Sequence, residues 1–87
     1  MLKLVTIKQT KEELGKWCKF QRDRFELTQE ELAVALGISR YTIQKFESGK
    51  NSTIDTVLKI ANHFDDLDKF YNSLKSYNDQ NTSRSLY

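Results

Sequence analysis

Apolar residues recur along this 87-residue chain at intervals of three and four, the spacing that places side chains on one face of an α-helix. The first helix is expected to begin near Thr10, because Thr10 and Glu13 have the spacing of a capping box. The second is expected to begin at Thr28, three residues before Glu31, for the same reason. Gly37 should end it, since glycine accepts the left-handed backbone conformation that follows many helices.

The same pattern predicts three further helices. Ser39 is a suitable N-cap for the third, which Gly49 should end. Thr53 should cap the fourth, and Asp65 or Asp66 the fifth. The chain is therefore predicted to be all-α, a compact bundle of about five short helices. The side chains expected to face inward in the first four helices are Leu14, Trp17, Cys18, Gln21, Phe25, Leu32, Ala33, Leu36, Ile43, Phe46, Ile54, Val57, Leu58, Ala61 and Phe64.

Composition narrows the class of protein. With 38% apolar and 30% charged residues, the chain is typical of a globular domain. No apolar run approaches the roughly 20 residues that span a bilayer, and the N-terminus lacks the apolar core of a signal peptide. One cysteine and one histidine cannot build a disulfide framework or a structural zinc site. With no nucleophile–base pair visible, we expect a cytoplasmic protein without enzyme activity, cofactor, metal or membrane partner.

The connection between the second and third predicted helices is only three residues long, Gly37-Ile38-Ser39. Such a short turn makes the two helices cross steeply, as in a helix-turn-helix. Winding the third helix at about 100° per residue places Ile43 and Phe46 opposite a face of long hydrogen-bonding side chains. Those side chains, our candidates for reading DNA bases, are Arg40, Tyr41, Gln44 and Lys45.

These four residue types suit base recognition in the major groove. Arginine and lysine donate to guanine, glutamine pairs with adenine, and tyrosine can contact a thymine methyl group or a phosphate. The face alone does not decide the function, because solvated surface helices carry the same residue types. The arrangement favours DNA binding: two capped short helices, a glycine turn, and a polar loop with Lys50 and Asn51 directly afterwards.

Several runs of residues resemble a known family. Leu27-Thr28-Gln29-Glu30-Glu31-Leu32-Ala33 and Phe46-Glu47-Ser48-Gly49-Lys50, at this separation, look like the phage-repressor-like helix-turn-helix family of the XRE or Cro type. Leu36-Gly37-Ile38-Ser39 and Thr56-Val57-Leu58-Lys59-Ile60-Ala61 extend the resemblance over roughly residues 12–64. The resemblance implies a lambda-repressor-like fold in which the second and third helices form the motif and the third enters the major groove.

The resemblance also implies roles for individual residues. Gln29 corresponds to the glutamine that anchors the DNA backbone, and the four base-reading candidates correspond to positions at or flanking the base edges. Arg22 and Glu47 correspond to a structural ion pair, and that arginine can also contact phosphate. The residues implied in contacts with the DNA backbone are Arg22, Thr28, Gln29, Ser39, Thr42, Lys50 and Asn51.

These observations divide the chain into four parts. Residues 1–9 are expected to form an arm or a short strand, and residues 10–64 the helix-turn-helix DNA-binding domain. Residues 65–78 should form a C-terminal helix, and residues 79–87, mostly Asn, Gln, Ser and Thr, a flexible tail. The C-terminal helix is expected to pack on the domain, to form a dimer interface, or both. Its apolar stripe, the candidate dimerisation surface, is Leu67, Phe70, Tyr71, Leu74 and Tyr77.

We expect a homodimer, because a domain of this size buries only about 60–65% of the surface of its unfolded chain and dimerisation adds burial. The predicted function is a transcriptional repressor whose two copies read a pseudo-palindromic operator in double-stranded DNA. The alternative is an antitoxin or protein-interaction module of the same fold, whose C-terminal helix binds a toxin or another regulator. The apolar stripe on that helix is compatible with either.

Overall fold

The computed structural model describes the backbone of residues 4–85 and the side chains of residues 4–81. Within this part the chain forms five α-helices and no β-strand, which confirms the predicted all-α bundle. No described helix is long and apolar enough to cross a membrane, and no described cluster of His, Cys, Asp or Glu could hold a metal ion. Helices α1 to α5 span Ile7–Arg24, Gln29–Leu36, Arg40–Glu47, Ile54–His63 and Leu67–Ser85.

Helix α1 begins earlier than predicted. Thr6 is its N-cap: the Thr6 hydroxyl accepts from the Gln9 backbone N–H at 3.0 Å, and the Gln9 side chain accepts from the Thr6 N–H at 2.9 Å. Thr10 lies in the first turn, where its hydroxyl donates to the Thr6 carbonyl oxygen. Both threonines have capping-box spacing, since glutamine serves in this motif as glutamate does. Residues 7–9 are therefore helix rather than an arm or strand, and residues 1–3 lie outside the described part.

The predicted starts of α2, α3 and α4 agree with the structure. Thr28 and Glu31 form the expected capping box of α2, and Ser39 and Thr53 cap α3 and α4. Gly37 follows α2 in the left-handed conformation, with φ of 70°. The caps satisfy amide groups that have no partner within their own helix, so each short helix has a defined first turn.

The core forms where α1 and α2 pack against α3, with α4 packed against α2 and α5. Three predicted inward side chains are exposed instead: Phe25 by 55%, Ile54 by 72% and Leu58 by 38%. Ile54 is the first residue of α4, and Phe25 lies past the end of α1, where its ring stacks 5.7 Å from Phe64. The buried hydrophobic side chains are Cys18, Leu32, Ala33, Ile43, Phe46, Ile60, Ala61 and Phe64.

Helix α5 is tied to α1 at its beginning. The Asp66 carboxylate accepts from the Trp17 indole N–H at 2.9 Å and from the Gln21 amide at 2.6 Å. The Trp17 and Phe70 rings lie 5.7 Å apart. The start of the C-terminal helix therefore packs on α1.

The end of α5 differs from the sequence-based expectation. The helix continues through Ser85, so the backbone of residues 79–85 is helical where the sequence predicts a flexible tail. No proline or glycine follows Gly49 to end the helix, and the Asn81 amide donates to the Tyr77 carbonyl at 2.7 Å. Residues 86 and 87 lie outside the described part.

Candidate nucleic-acid interface

Three residues connect the two helices of the motif. Within this turn the Gly37 N–H donates to the Val34 carbonyl at 3.2 Å, and the Ile38 N–H donates to the Ala33 carbonyl at 3.0 Å. Ile38 is half-buried and packs against the core. Both hydrogen bonds and an apolar contact therefore fix the turn, which holds α3 in a defined orientation relative to α2.

Helix α3 has a buried face and an exposed face. Ile43 is fully buried and Phe46 is 3% exposed, and both belong to the core. The four base-reading candidates point away from that core: three are exposed, Tyr41 by 66%, and Lys45 is half-buried. The structure therefore brings these candidates together on one accessible helix face.

Two of the base-reading candidates contact each other. The Lys45 Nζ lies 5.5 Å from the centroid of the Tyr41 ring, within the range of a cation–π interaction. Both residues border a groove of about 490 Å³ between α3 and the loop that follows it. The lysine charge is thereby held on the exposed face of α3. The groove is lined by Tyr41, Thr42, Lys45, Asn51, Ser52, Thr53 and Thr56.

Three of the predicted DNA-backbone contacts are hydroxyl groups at helix starts. Thr28 caps α2 by accepting from the Glu31 N–H at 3.0 Å. Ser39 caps α3 by accepting from the Thr42 N–H at 3.1 Å, and the Ser39 and Thr42 hydroxyls lie 2.9 Å apart. These side chains fix the first turns of the two motif helices, and their contacts with DNA stay predictions.

The Glu47 carboxylate joins three helices at the base of the motif. Arg22 of α1 donates to it twice, from Nε to Oε2 at 2.9 Å and from Nη2 to Oε1 at 3.0 Å. The Gln29 amide of α2 donates to Oε1 at 3.0 Å, and the Cys18 thiol donates to Oε2 at 3.4 Å. The Arg22 and Glu47 side chains are only 12% and 6% exposed. We call this arrangement the Glu47 cluster.

The Glu47 cluster holds its charges in place. Burial works to raise the pKa of Glu47, but hydrogen bonds from Arg22, Gln29 and Cys18 outweigh it and leave this pKa lowered. The hydrogen bond to Glu47 raises the pKa of Arg22 against the effect of burial. Burial, reinforced by the Glu47 charge, raises the pKa of the Cys18 thiol. The ion pair is therefore charged at neutral pH, and the thiol keeps the proton that it donates.

The Glu47 cluster contains two residues, Arg22 and Gln29, that the sequence predicts to contact the DNA backbone. The structure brings Arg22 and Glu47 together as the resemblance implies, and Arg22 Nη1 also donates to the Leu27 carbonyl at 2.9 Å. Gln29 lies at the start of α2, half-buried, with an amide hydrogen directed to Glu47. An amide group has a second N–H, so Gln29 keeps a donor beyond this bond. The phosphate contacts of Arg22 and Gln29 stay predictions.

The polar loop after α3 contains a contact that sequence reasoning missed. Lys50 and Asn51 are exposed there, as the predicted backbone contacts require. The Lys11 Nζ of α1 donates to the Asn51 Oδ1, joining positions forty apart in the chain. Lys11 lies three residues before Leu14 and seven before Cys18, so it extends the inward stripe of α1 by one turn. The stripe predicted from the sequence begins at Leu14 and does not include the charged Lys11.

A match to a known family accompanies this geometry. A family model described as Helix-turn-helix matches residues 19–70, more than half of the chain. The chain belongs to this helix-turn-helix family. The resemblance to the XRE type, drawn from the motif residues, is thereby confirmed.

Two curated relatives are similar to part of this chain. A protein of Methanocella arvoryzae is 43% identical over 51 residues, 59% of this chain, and one of Methanoculleus marisnigri is 44% identical over 43 residues, 49% of this chain. Each carries the name "Putative HTH-type transcriptional regulatory protein". The aligned stretches are 16% and 14% of the relatives' own lengths. The similarity therefore concerns one segment of much longer proteins.

Proposed function

We propose that this chain is a sequence-specific transcriptional regulator that binds double-stranded DNA, most simply a homodimeric repressor. The observation that carries the proposal is the two-sided α3, whose Ile43 and Phe46 are in the core while Arg40, Tyr41 and Gln44 are exposed and Lys45 is half-buried on the opposite face. Membership in the helix-turn-helix family and the names of the two relatives support it.

In this proposal α3 lies in the major groove of DNA. Arg40 and Lys45 donate to guanine, Gln44 pairs with adenine, and Tyr41 contacts a thymine methyl group. Contacts with phosphates on either side fix the register: the Gln29 amide at the start of α2, and Lys50 with Asn51 in the loop after α3. We assign repression because the motif residues resemble those of the phage-repressor-like family.

The proposed dimer uses the apolar stripe of α5. Tyr71, Leu74 and Tyr77 are 60–64% exposed. Tyr71 and Leu74, together with Leu58 of α4, line an open apolar groove of about 790 Å³. Phe70 is half-buried: one part of its side chain packs against Trp17, and another part lines the groove. To read two half-sites one DNA turn apart, this two-fold pairing has to hold the two α3 helices about 34–36 Å from each other.

Selection from a random duplex library, read by sequencing, tests this function directly. We expect a pseudo-palindromic site whose half-sites are about 10 base pairs apart. If the dimer neutralises about six phosphates, log K should fall with log salt at a slope of about −5. Recovery of no preferred sequence, or binding that ignores salt, would refute the proposal.

The same α4–α5 groove supports a second candidate function. An antitoxin or protein-interaction module would use this apolar surface for a different protein rather than for a second copy. Sedimentation of the purified chain separates the two cases. Self-association that a charge at Leu74 abolishes supports the dimer. A chain that stays monomeric at every concentration, with a groove that accepts another protein, supports the alternative.

A further inference from the structure

The loop between α3 and α4 is pressed against α1. At Gly49 the backbones approach so closely that an added Cβ would lie 3.1 Å from the Glu12 Cγ and 3.3 Å from its Cα. Two residues further on, Asn51 accepts a hydrogen bond from the Lys11 ammonium. The beginning of α1 and the loop thus form one continuous surface, although Lys11 and Asn51 are forty positions apart in the chain.

The partner of Asn51 decides which way its amide faces. An ammonium group can only donate hydrogen bonds, so the amide must turn its oxygen toward Lys11. Its NH2 group, which can only donate, then points away from Lys11. A DNA phosphate accepts hydrogen bonds and offers none. By occupying the amide oxygen of Asn51, Lys11 therefore keeps the NH2 donor of Asn51 available for a phosphate.

Lys11 also adds a positive charge beside the loop. Lys11, Lys50 and Ser52 border one depression of about 230 Å³, whose other lining residues are the apolar Leu14, Phe46, Ile54 and Val57. Lys11 and Lys50 thus bring two positive charges to the edge of one hollow, and neighbouring positive charges attract an anion such as a phosphate. Among the acidic neighbours, Asp55 pairs with Lys59 at 3.4 Å, and Glu12 lies on the Gly49 side of the loop.

We propose that Lys11 is a DNA-contacting residue that binds a backbone phosphate jointly with Lys50 and positions Asn51 for the same strand. The phosphate-binding surface then extends from the α3–α4 loop onto α1. This inference rests on the proposed DNA binding, and it adds a residue that neither the motif nor the resemblance implies.

Salt-dependent binding to a mixed-sequence DNA duplex, followed by fluorescence anisotropy, tests the role of Lys11. A phosphate contact does not need the operator, because non-specific binding is itself electrostatic. Lys11→Met should make the salt slope shallower by about one and weaken binding roughly threefold to tenfold near about 0.1 M salt. Lys11→Arg, which keeps the charge, should retain the wild-type slope.

Lys16→Met is the matched control. Lys16 lies on the same helix, its side chain is 74% exposed, and it pairs with Glu13 rather than with the loop. This variant changes the net charge by the same amount, so a slope change shared by both variants would overturn the assignment to Lys11. A thermal melt of each variant shows whether the fold is intact.

Asn51→Asp tests the positioning role separately. The new carboxylate keeps a partner for Lys11 but replaces the outward NH2 donor with an oxygen that repels phosphate. We expect weaker binding than in Lys11→Met. Wild-type binding by Asn51→Asp would overturn the positioning role. If the wild-type chain binds DNA without salt dependence, the proposed function itself fails. If the wild-type salt slope is steep and Lys11→Met leaves it unchanged, only the role of Lys11 is refuted.

Discussion

Arg40 is an exposed base-reading candidate at the first position of α3. If it donates to guanine, Arg40→Ala should weaken operator binding by about 1–3 kcal/mol and relax the preference at one base pair. Lys50→Ala should instead weaken all sequences alike, because a phosphate contact carries no base information. Repeating the library selection with each variant distinguishes the two. An unchanged preference in Arg40→Ala would show that base reading is assigned to the wrong residue.

Glu47 is the residue on which α1, α2 and α3 converge. Glu47→Ala should lower the free energy of unfolding by about 3–5 kcal/mol, because removing one partner of a buried ion pair leaves Arg22 uncompensated. Urea unfolding measures the loss. Glu30→Ala, an exposed position on α2, is the control and should change stability little. A similar small effect at both positions would contradict the structural role of the Glu47 cluster.

Two carboxylates make stability depend on pH. Hydrogen bonds, from the Trp17 indole above all, lower the pKa of Asp66, and the pKa of Glu47 is lowered too. Because their folded pKa values lie below the unfolded ones, their stabilisation is fully present above about pH 4 and disappears as pH falls through the folded values. Urea unfolding across acidic pH should show this loss. The Glu47→Gln/Asp66→Asn double variant should depend on pH less steeply, and equal steepness would count against both groups.

At the scale of elements, the approach of α1 to α3 depends on Gly15. A Cβ there would lie 2.6 Å from the Glu47 carbonyl oxygen and 2.8 Å from that of Phe46, both backbone atoms. Helix propensity favours Gly15→Ala by up to about 1 kcal/mol. The clash should outweigh this and give a net loss of about 1–3 kcal/mol in urea unfolding.

Gly37 is the matched comparison for Gly15. An added Cβ would meet nothing within 4 Å there, but φ is +70°, so the cost of Gly37→Ala is conformational. Asparagine tolerates this conformation, so Gly37→Asn should recover part of the stability that Gly37→Ala loses. Gly15→Asn should recover none. A stabilised Gly15→Ala would mean that α1 and α3 are further apart than described.

The elements differ in how far sequence determines them. Thr28, Ser39 and Thr53 cap their helices through neighbours three residues away, so local spacing predicts these starts. Thr6 and Thr10 offer competing starts for α1, and spacing alone does not rank them. The contact of Lys11 with Asn51 depends on how α1 packs against α3, which no local pattern contains.

At the scale of the whole molecule, the proposed dimer depends on α5. Leu74→Glu should abolish self-association, because a second copy would bury an unpaired charge, which costs several kcal/mol. Ser76→Glu places the same charge on the opposite face of the helix and should leave self-association intact. Sedimentation velocity over a concentration series measures both. A Leu74→Glu protein that still dimerises would move the interface elsewhere.

The packing of α5 also shows where sequence-based division of the chain falls short. A boundary after Phe64 separates Asp66 from Trp17 and Gln21, although its carboxylate accepts hydrogen bonds from both. Truncation there would damage the DNA-binding domain as well as the proposed interface. Substitutions on the exposed stripe are therefore the cleaner way to separate dimerisation from DNA binding.

Helix α3 uses different residues for packing and for the proposed base reading, and this separation has an evolutionary consequence. Ile43 and Phe46 anchor the helix in the core, and Glu47 fastens its end to the two neighbouring helices. None of these interactions involves Arg40, Tyr41, Gln44 or Lys45. Gene duplicates of this chain can therefore exchange those four residues and acquire new operators while inheriting the same scaffold. A library varied at these positions alone should stay folded and yield regulators that ignore one another's sites.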